Sequence, residues 1–271
     1  MEAYLSDIEV RKVEDTPEML SYRINNIDPS VLNAIRRTII SDTPTVAIHW
    51  VCIKENETVM ADEILAHRIG LIPVTASPHI LKPVEKKEDF SPISDLTTED
   101  SICMDLVVSN TTNKILPVYS DSIKVQGAAN VSVKKRVLIT RLAPNKKIEC
   151  KLFAILGTGR EHSKWMPTSA CYYRCIKKIH VKDASKAHEM KKYFRDGFLL
   201  GEDGPKIDED RVLVNTDVQK KYPDAISIST QENSFLFEIE TITESPVDII
   251  ARGLGVLQSK LKALQAAAQP Q

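Results

Sequence analysis

The C-terminal end of the chain carries a pattern that a lone polypeptide has little use for. Val247, Ile250, Leu254, Leu257, Leu261 and Leu264 recur at steps of 3, 4, 3, 4 and 3, the spacing that keeps one apolar seam of a helix turned toward a neighbouring helix. Ser245, Pro246 and Asp248 read as its start: a hydroxyl that can accept from free N–H groups, a proline suited to the first helical position, and a capping-box acid. Gly253 and Gly255 each weaken a helix by about 1 kcal/mol relative to alanine, and close approach of a second helix is the reason inferred for them. The seam predicts a helical partner.

A second amphipathic helix is predicted near the other end. Asp28-Pro29 opens it, Leu32, Ile35 and Ile39 form one apolar face, Arg36 and Arg37 point off that face, and Asp42-Thr43-Pro44 stops it. Strands are expected around it: 4–13 and 19–25 about a turn at Asp15-Thr16-Pro17, then 45–53. After a short helix at Ala61–Leu71, residues 102–156 return to short strands with turns between them. Further strands are expected at 171–182 and 234–241. Residues 77–101, rich in proline and carrying KPVEKKED, read as a solvated loop. The fold class is α+β.

Composition removes several functions. The 36 Lys+Arg against 37 Asp+Glu leave a net charge of -1, which excludes a polyelectrolyte and a globally basic nucleic-acid coat. No secretory leader is read at MEAYLSDIEV, and no apolar run reaches the ~18 residues of a membrane span. The five cysteines are an odd number and mostly far apart, so a reducing, intracellular setting is expected. Gly157, Gly159 and Lys164 lack the spacing of a phosphate loop. Cys171 and Cys175 fall on a predicted strand, about 13 Å apart, too far for one zinc. Glu63 and His67 are an i,i+4 helix pair, and His162 has no nucleophile near it in sequence. Residues 174–195 hold eight Lys/Arg against two acids, a local +6, and 196–211 hold six acids against two bases, a local -4. The basic stretch reads as a solvated or protein-docking face and the acidic one as irregular surface.

Several segments share one likeness. NAIRRTIISDTPTVAIHWVCIKENETVMADEILAHRIGLIPV (33–74), VYSDSIKV (118–125), GTGREHSKWMP (157–167) and FEIETITESPVDIIARGLGVLQSKL (237–261) resemble the alpha-like subunit family of multisubunit DNA-directed RNA polymerases. The likeness is greatest to the third-largest subunit of eukaryotic polymerase II and to the archaeal counterparts of that subunit. Residues 77–101 and 183–228 match poorly.

The resemblance implies a discontinuous dimerisation domain, 1–42 with 168–271, built of a sheet and two amphipathic helices and interrupted by a β-rich insert domain, 43–167. It implies a helix seam of Leu32, Ile35, Ile39, Val247, Ile250, Leu254, Leu257, Leu261 and Leu264 that pairs with a smaller alpha-like subunit. Asn33, Arg36 and Arg37 match an Asn-x-x-Arg-Arg signature for docking a large subunit, and Gly157, Gly159, His162, Lys164 and Trp165 match the family's loop. The heterodimer would carry the second-largest and largest subunits and small zinc-bearing subunits, reaching DNA only through the complex. No catalytic residue, cofactor or metal is implied in this chain. Polymerase II relatives carry a four-cysteine zinc loop where 77–101 has no cysteine, which leaves a shared polymerase I/III subunit or a large DNA virus's polymerase open. The location implied is the nucleus for a cellular eukaryotic chain, and the virion or the host-cell transcription site for one from a large DNA virus.

Overall fold

Long antiparallel strands and two main helices make an α+β chain, seen in a computed structural model that describes residues 7–84, 91–127, 130–201 and 204–268. In chain order the main elements are β1 (Glu9–Asp15), β2 (Met19–Asn25), α1 (Pro29–Ser41), β3 (Pro44–Asn56), α2 (Asp62–Gly70), β4 (Ser101–Ser109), β5 (Ile123–Val125), β6 (Lys147–Thr158), β7 (Thr168–Val181), β8 (Ile226–Thr241) and α3 (Pro246–Ala267). Two compact units are present: Met1–Arg36 with Ala170–Glu240, and Arg37–Ser169 with Thr241–Gln271. No helix among the described residues is long and apolar enough to cross a membrane.

The first unit is built on a four-stranded sheet in the order β1-β2-β8-β7. β1 runs on to Asp15, past the point expected to be a turn, because Thr16 and Pro17 suffice: the Thr16 N–H donates to the Met19 carbonyl at 2.8 Å. The expected strand residues 4–6 lie outside the described residues. β8 is much longer than the predicted 234–241, and Phe235, Leu236 and Phe237 are buried in succession, so both faces of the sheet are covered there. On β7, Cys171 and Ile176 are both buried while Cys175 is exposed. Buried residues at an odd spacing fit a strand covered on both faces, and the cover reaches Cys171 but not Cys175.

The acidic block is not irregular surface. Phe194–Asp196 pairs with Leu213–Val214, and Phe198–Gly201 pairs with Gly204–Ile207. Gly197 permits the first of these: its φ is +73°, and a Cβ there would lie 2.4 Å from the Val212 nitrogen. The block is then drawn in by arginines distant in sequence. The Arg23 guanidinium reaches Asp210 at 3.1 Å, Glu209 at 3.2 Å and Gln231 at 3.1 Å. Arg11 also pairs with Asp210, and Arg174 donates to the Asp210 and Val212 carbonyls.

In the second unit the sheet order is β3-β6-β4-β5, antiparallel throughout. α2 lays Leu65 and Ile69 on a core with Ile48, Met104, Leu106, Cys150 and Leu152. A bulge between Phe153 and Ala154 disturbs the β3–β6 pairing. A separate cluster of Ala47, Ile155 and Trp165 forms at that end of the two strands. The segment expected to be a plain loop at 77–101 holds a turn of 3-10 helix at Pro78–Ile80 and a short helix at Pro92–Asp95, with Pro78 and Leu81 buried. Its residues 85–90 lie outside the described residues.

The two main helices start differently. Asp28 caps α1 as expected, its carboxylate accepting from the Ser30 N–H at 2.8 Å and from the Ser30 hydroxyl. Those bonds hold the Asp28 carboxyl below its ordinary pKa. Ser245 stands at the N-cap of α3, but its side chain makes no capping bond, so the expected capping box does not form. Pro246, which has no N–H to satisfy, and the Ile249 N–H bonded to the Ser245 carbonyl at 3.2 Å start the helix instead.

Arg23 supplies the test of this fold. Its side chain is 14% exposed and that of Asp210 is 13% exposed, so truncation leaves a desolvated carboxylate with Arg11 alone and also frees Glu209 and Gln231. Arg23→Met should destabilise the chain by about 3 kcal/mol, read as a lower urea midpoint. Lys12→Met, which breaks the exposed Lys12–Asp15 pair, should cost less than about 1 kcal/mol.

Candidate subunit interface

α3 has two faces with different fates. Pro246, Ile249 and Gly253 are buried, and a Cβ on Gly253 would come within 2.7 Å of the Ile39 side chain. Close helix approach therefore explains Gly253, with α1 of the same chain as the neighbour. Within this chain a Cβ on Gly255 would meet open space. The seam lies on the other face. Val247 is 48% exposed, Leu254 43%, Leu261 58% and Leu264 66%, while Ile250 and Leu257 are half-buried. Every residue from Gln258 to Ala268 is exposed. A helix bare on all sides over its last turns is marginal in water without tertiary contacts, and large apolar side chains repeated along one side of it form an association surface.

The α1 half of the predicted seam differs. Leu32 and Ile39 are 1% and 0% exposed, so they face this chain's own core and leave only the half-buried Ile35 toward the surface. Periodicity located an apolar face but could not say which neighbour covers it; for Ile39 that neighbour includes Gly253.

Asn33, Arg36 and Arg37 are brought together, with unequal roles. The Asn33 side-chain oxygen accepts from Arg36 Nε at 3.1 Å and Nη2 at 3.0 Å, which fixes the guanidinium one turn along α1. Arg37 is exposed and makes no ion pair among the described residues. Cys171 lies close enough to sense the Arg36 charge, which opposes the burial that pushes its thiol up to about 12. Such a thiol is inert at neutral pH.

The glycine-rich motif is a packing device. Gly157 and Thr158 end β6, and Ser163–Trp165 is a turn of 3-10 helix, so the expected loop is shorter and more ordered than 157–167. A Cβ on Gly157 would fall 2.4 Å from the Trp165 indole, and one on Gly159 would fall 2.1 Å from the Ile40 carbonyl oxygen. Buried Trp165 donates from Nε1 to the Ile155 carbonyl at 3.2 Å, and its own carbonyl accepts from the Thr45 hydroxyl at 2.6 Å. Lys164 Nζ donates to the Ile48 carbonyl at 2.9 Å, reaches His49 Nδ1 at 3.0 Å, and lies 4.5 Å from the Trp165 ring centroid. His162 Nδ1 accepts from the Lys164 N–H at 3.0 Å. Lys164, Trp165 and Thr45, together with Nδ1 of His162, are thus engaged in structural bonds.

Asp42 has a role that its place in the sequence does not announce. Its carboxylate, just past α1, binds the Arg160 guanidinium at 2.6 Å and Lys260 Nζ of α3, while the Arg160 N–H donates to the Ser41 carbonyl at 2.9 Å. The only sequence signal is an acid at a helix stop. Arg252 adds a second tether, an ion pair at 2.8 Å to Glu244. Among the described residues, no three His, Cys, Asp or Glu side chains gather as a metal site would require.

Residues 22–261 match the family profile of the RNA polymerase Rpb3/Rpb11 dimerisation domain. The chain is 27% identical to the DNA-directed RNA polymerases I and III subunit RPAC1 of Saccharomyces cerevisiae, across 98% of this chain and 89% of that protein. It is 30% identical to DNA-directed RNA polymerase subunit Rpo3 of Methanothermobacter thermautotrophicus, across 94% and 96%. Identity to the Rpo3 of Thermococcus kodakarensis is also 30%, across 93% and 95%. The apolar seam on α3, the loop packed around Trp165 and these likenesses lead to one conclusion: the chain belongs to the alpha-like subunit family of DNA-directed RNA polymerases, of the Rpb3/Rpo3 type.

Proposed function

We propose that this chain is a non-catalytic assembly subunit of a DNA-directed RNA polymerase, which pairs with a smaller alpha-like subunit to form the platform for the large subunits. The observation that carries this reading is the outer face of α3: apolar, regularly spaced and exposed, on a helix whose inner face is already packed. Covering such a face contributes about 25 cal/mol per Å². Asn33, Arg36 and Arg37 form the contact to the second-largest subunit, with Arg36 pre-oriented by Asn33. The largest subunit and small zinc-bearing subunits join around that contact, and DNA is met only through the complex. In this reading the dimerisation domain joins 1–42 and 168–271 around an insert at 43–167, a division by partner contact rather than by internal packing. A cellular eukaryotic chain with this role works in the nucleus, and one from a large DNA virus works where the virus transcribes.

Two experiments test the two surfaces separately. Leu254→Asp with Leu261→Asp should weaken binding to the smaller subunit at least about tenfold, or 1.4 kcal/mol, while leaving the melting profile of the isolated chain in place. Undiminished heterodimer would remove the seam from the interface. Arg36→Ala and Arg37→Ala, alone and together, should leave the heterodimer intact, and the double variant should recruit the second-largest subunit at least about tenfold less well, the loss expected for a desolvated interface arginine. Normal recruitment with both arginines gone rules out the docking role.

A further inference from the structure

The basic run at 174–195 is not neutralised, among the described residues, by the acidic block after it. Among the described residues, Arg174 alone in the run bonds to that block, and Glu209 and Asp210 are taken up by Arg23, Asp210 by Arg11 as well. Further along, Lys192 and Arg195 stand exposed at an open cavity of about 730 Å³, whose other walls are Tyr193, Leu213, Val214 and Asn215. Of the nearby carboxylates, Asp217 is paired with Lys220 at 2.9 Å. Glu189 and Asp196 accept only from neutral donors, the Tyr222 hydroxyl at 3.0 Å and the Gly197 N–H at 2.8 Å, and keep their charge, so the cations of the rim outnumber them without being cancelled. Lys221 joins the cationic rim, with its Nζ 6.0 Å from the Tyr193 ring centroid and the Nζ of Lys192 at 5.6 Å. Leu213 is 45% exposed. The site therefore combines a positive rim with an aliphatic wall.

We propose that this cavity docks an acidic, extended segment of another polypeptide. An aliphatic or aromatic side chain of that segment lies on Leu213 and Val214, and flanking carboxylates meet Lys192, Arg195 and Lys221. Charge complementarity selects an anion, and the apolar wall selects a peptide from among anions, because a phosphate backbone has no use for it. A single-stranded nucleic acid would want a row of rings for successive bases, and the cavity wall offers only Tyr193, which is half-buried with ammonium groups near its ring. The wall also belongs to a two-stranded ribbon, Phe194–Asp196 with Leu213–Val214, which has no third strand beside it among the described residues. An extended chain suits such an edge. The proposal is independent of the α3 seam.

The test is fluorescence anisotropy on the full chain with three labelled probes: a short peptide alternating Asp/Glu with Leu/Phe, its Asn/Gln counterpart, and oligouridylate of similar length. The acidic peptide should bind at least about tenfold tighter than either alternative. Lys192→Glu with Arg195→Glu should abolish that preference, and Lys192→Gln with Arg195→Gln should reduce it, with circular dichroism reporting that both variants fold. Lys178→Glu with Lys186→Glu, an equal charge change in the same run but outside the cavity, should leave peptide binding within about twofold. Tighter binding of oligouridylate, an equal loss from both charge reversals, or no preference for the acidic peptide would each overturn the proposal.

Discussion

The carboxylate of Asp42 joins three parts of the second unit that sequence separates widely. It sits where α1 ends, takes the Arg160 guanidinium from the motif loop, and takes the Lys260 ammonium from α3. The Asp42 side chain is 15% exposed while those of Arg160 and Lys260 are 72% and 44% exposed, so each pair alone is modest and the tether comes from two cations converging on one carboxylate. Removing the carboxylate would leave two cations without their partner and free the end of α1 from both neighbours. With Gly253 seated on Ile39, the tether holds α3 by its inner side. That is what leaves Val247, Leu254, Leu261 and Leu264 facing outward in a fixed order.

The motif loop supports the same arrangement from below. Gly157 and Gly159 are there because an indole and a backbone carbonyl occupy the space of a side chain. Lys164 can only donate, so His49 Nδ1 beside it is an unprotonated acceptor. The ammonium thereby fixes the histidine tautomer as well as bonding the Ile48 carbonyl. A lysine, two histidines, glycines and a tryptophan in and around one loop invite a catalytic reading, but the geometry spends them on joining β3, β6 and the end of α1. In the proposed role the function of the subunit lies in the surfaces this scaffold presents.

How much of this was legible in the sequence depended on distance along the chain. The α3 seam was legible because heptad spacing is a local signal, and Asp28 as a cap was legible for the same reason. Leu32 and Ile39 were legible as an apolar face, but the neighbour that covers Ile39 lies more than two hundred residues away in sequence. Cys171 is buried and Cys175 exposed, a difference in what covers the strand that spacing along the chain does not foresee. The acidic block looked like solvated surface because its partners, Arg11 and Arg23, lie at the far end of the chain. Charge counting sees the block but not the arginines that reach it.

The role proposed for this chain is polymerase assembly, with no part in the chemistry. The most direct measurement is the rate of nucleotide addition per assembled complex, in polymerase reconstituted with Lys164→Met in place of the natural chain. Loss of the two Lys164 bonds should lower the yield of assembled enzyme, while the complexes that form add nucleotides within about twofold of the natural rate, less than about 0.5 kcal/mol in the barrier. Full assembly accompanied by about a tenfold slower rate per complex would contradict the account.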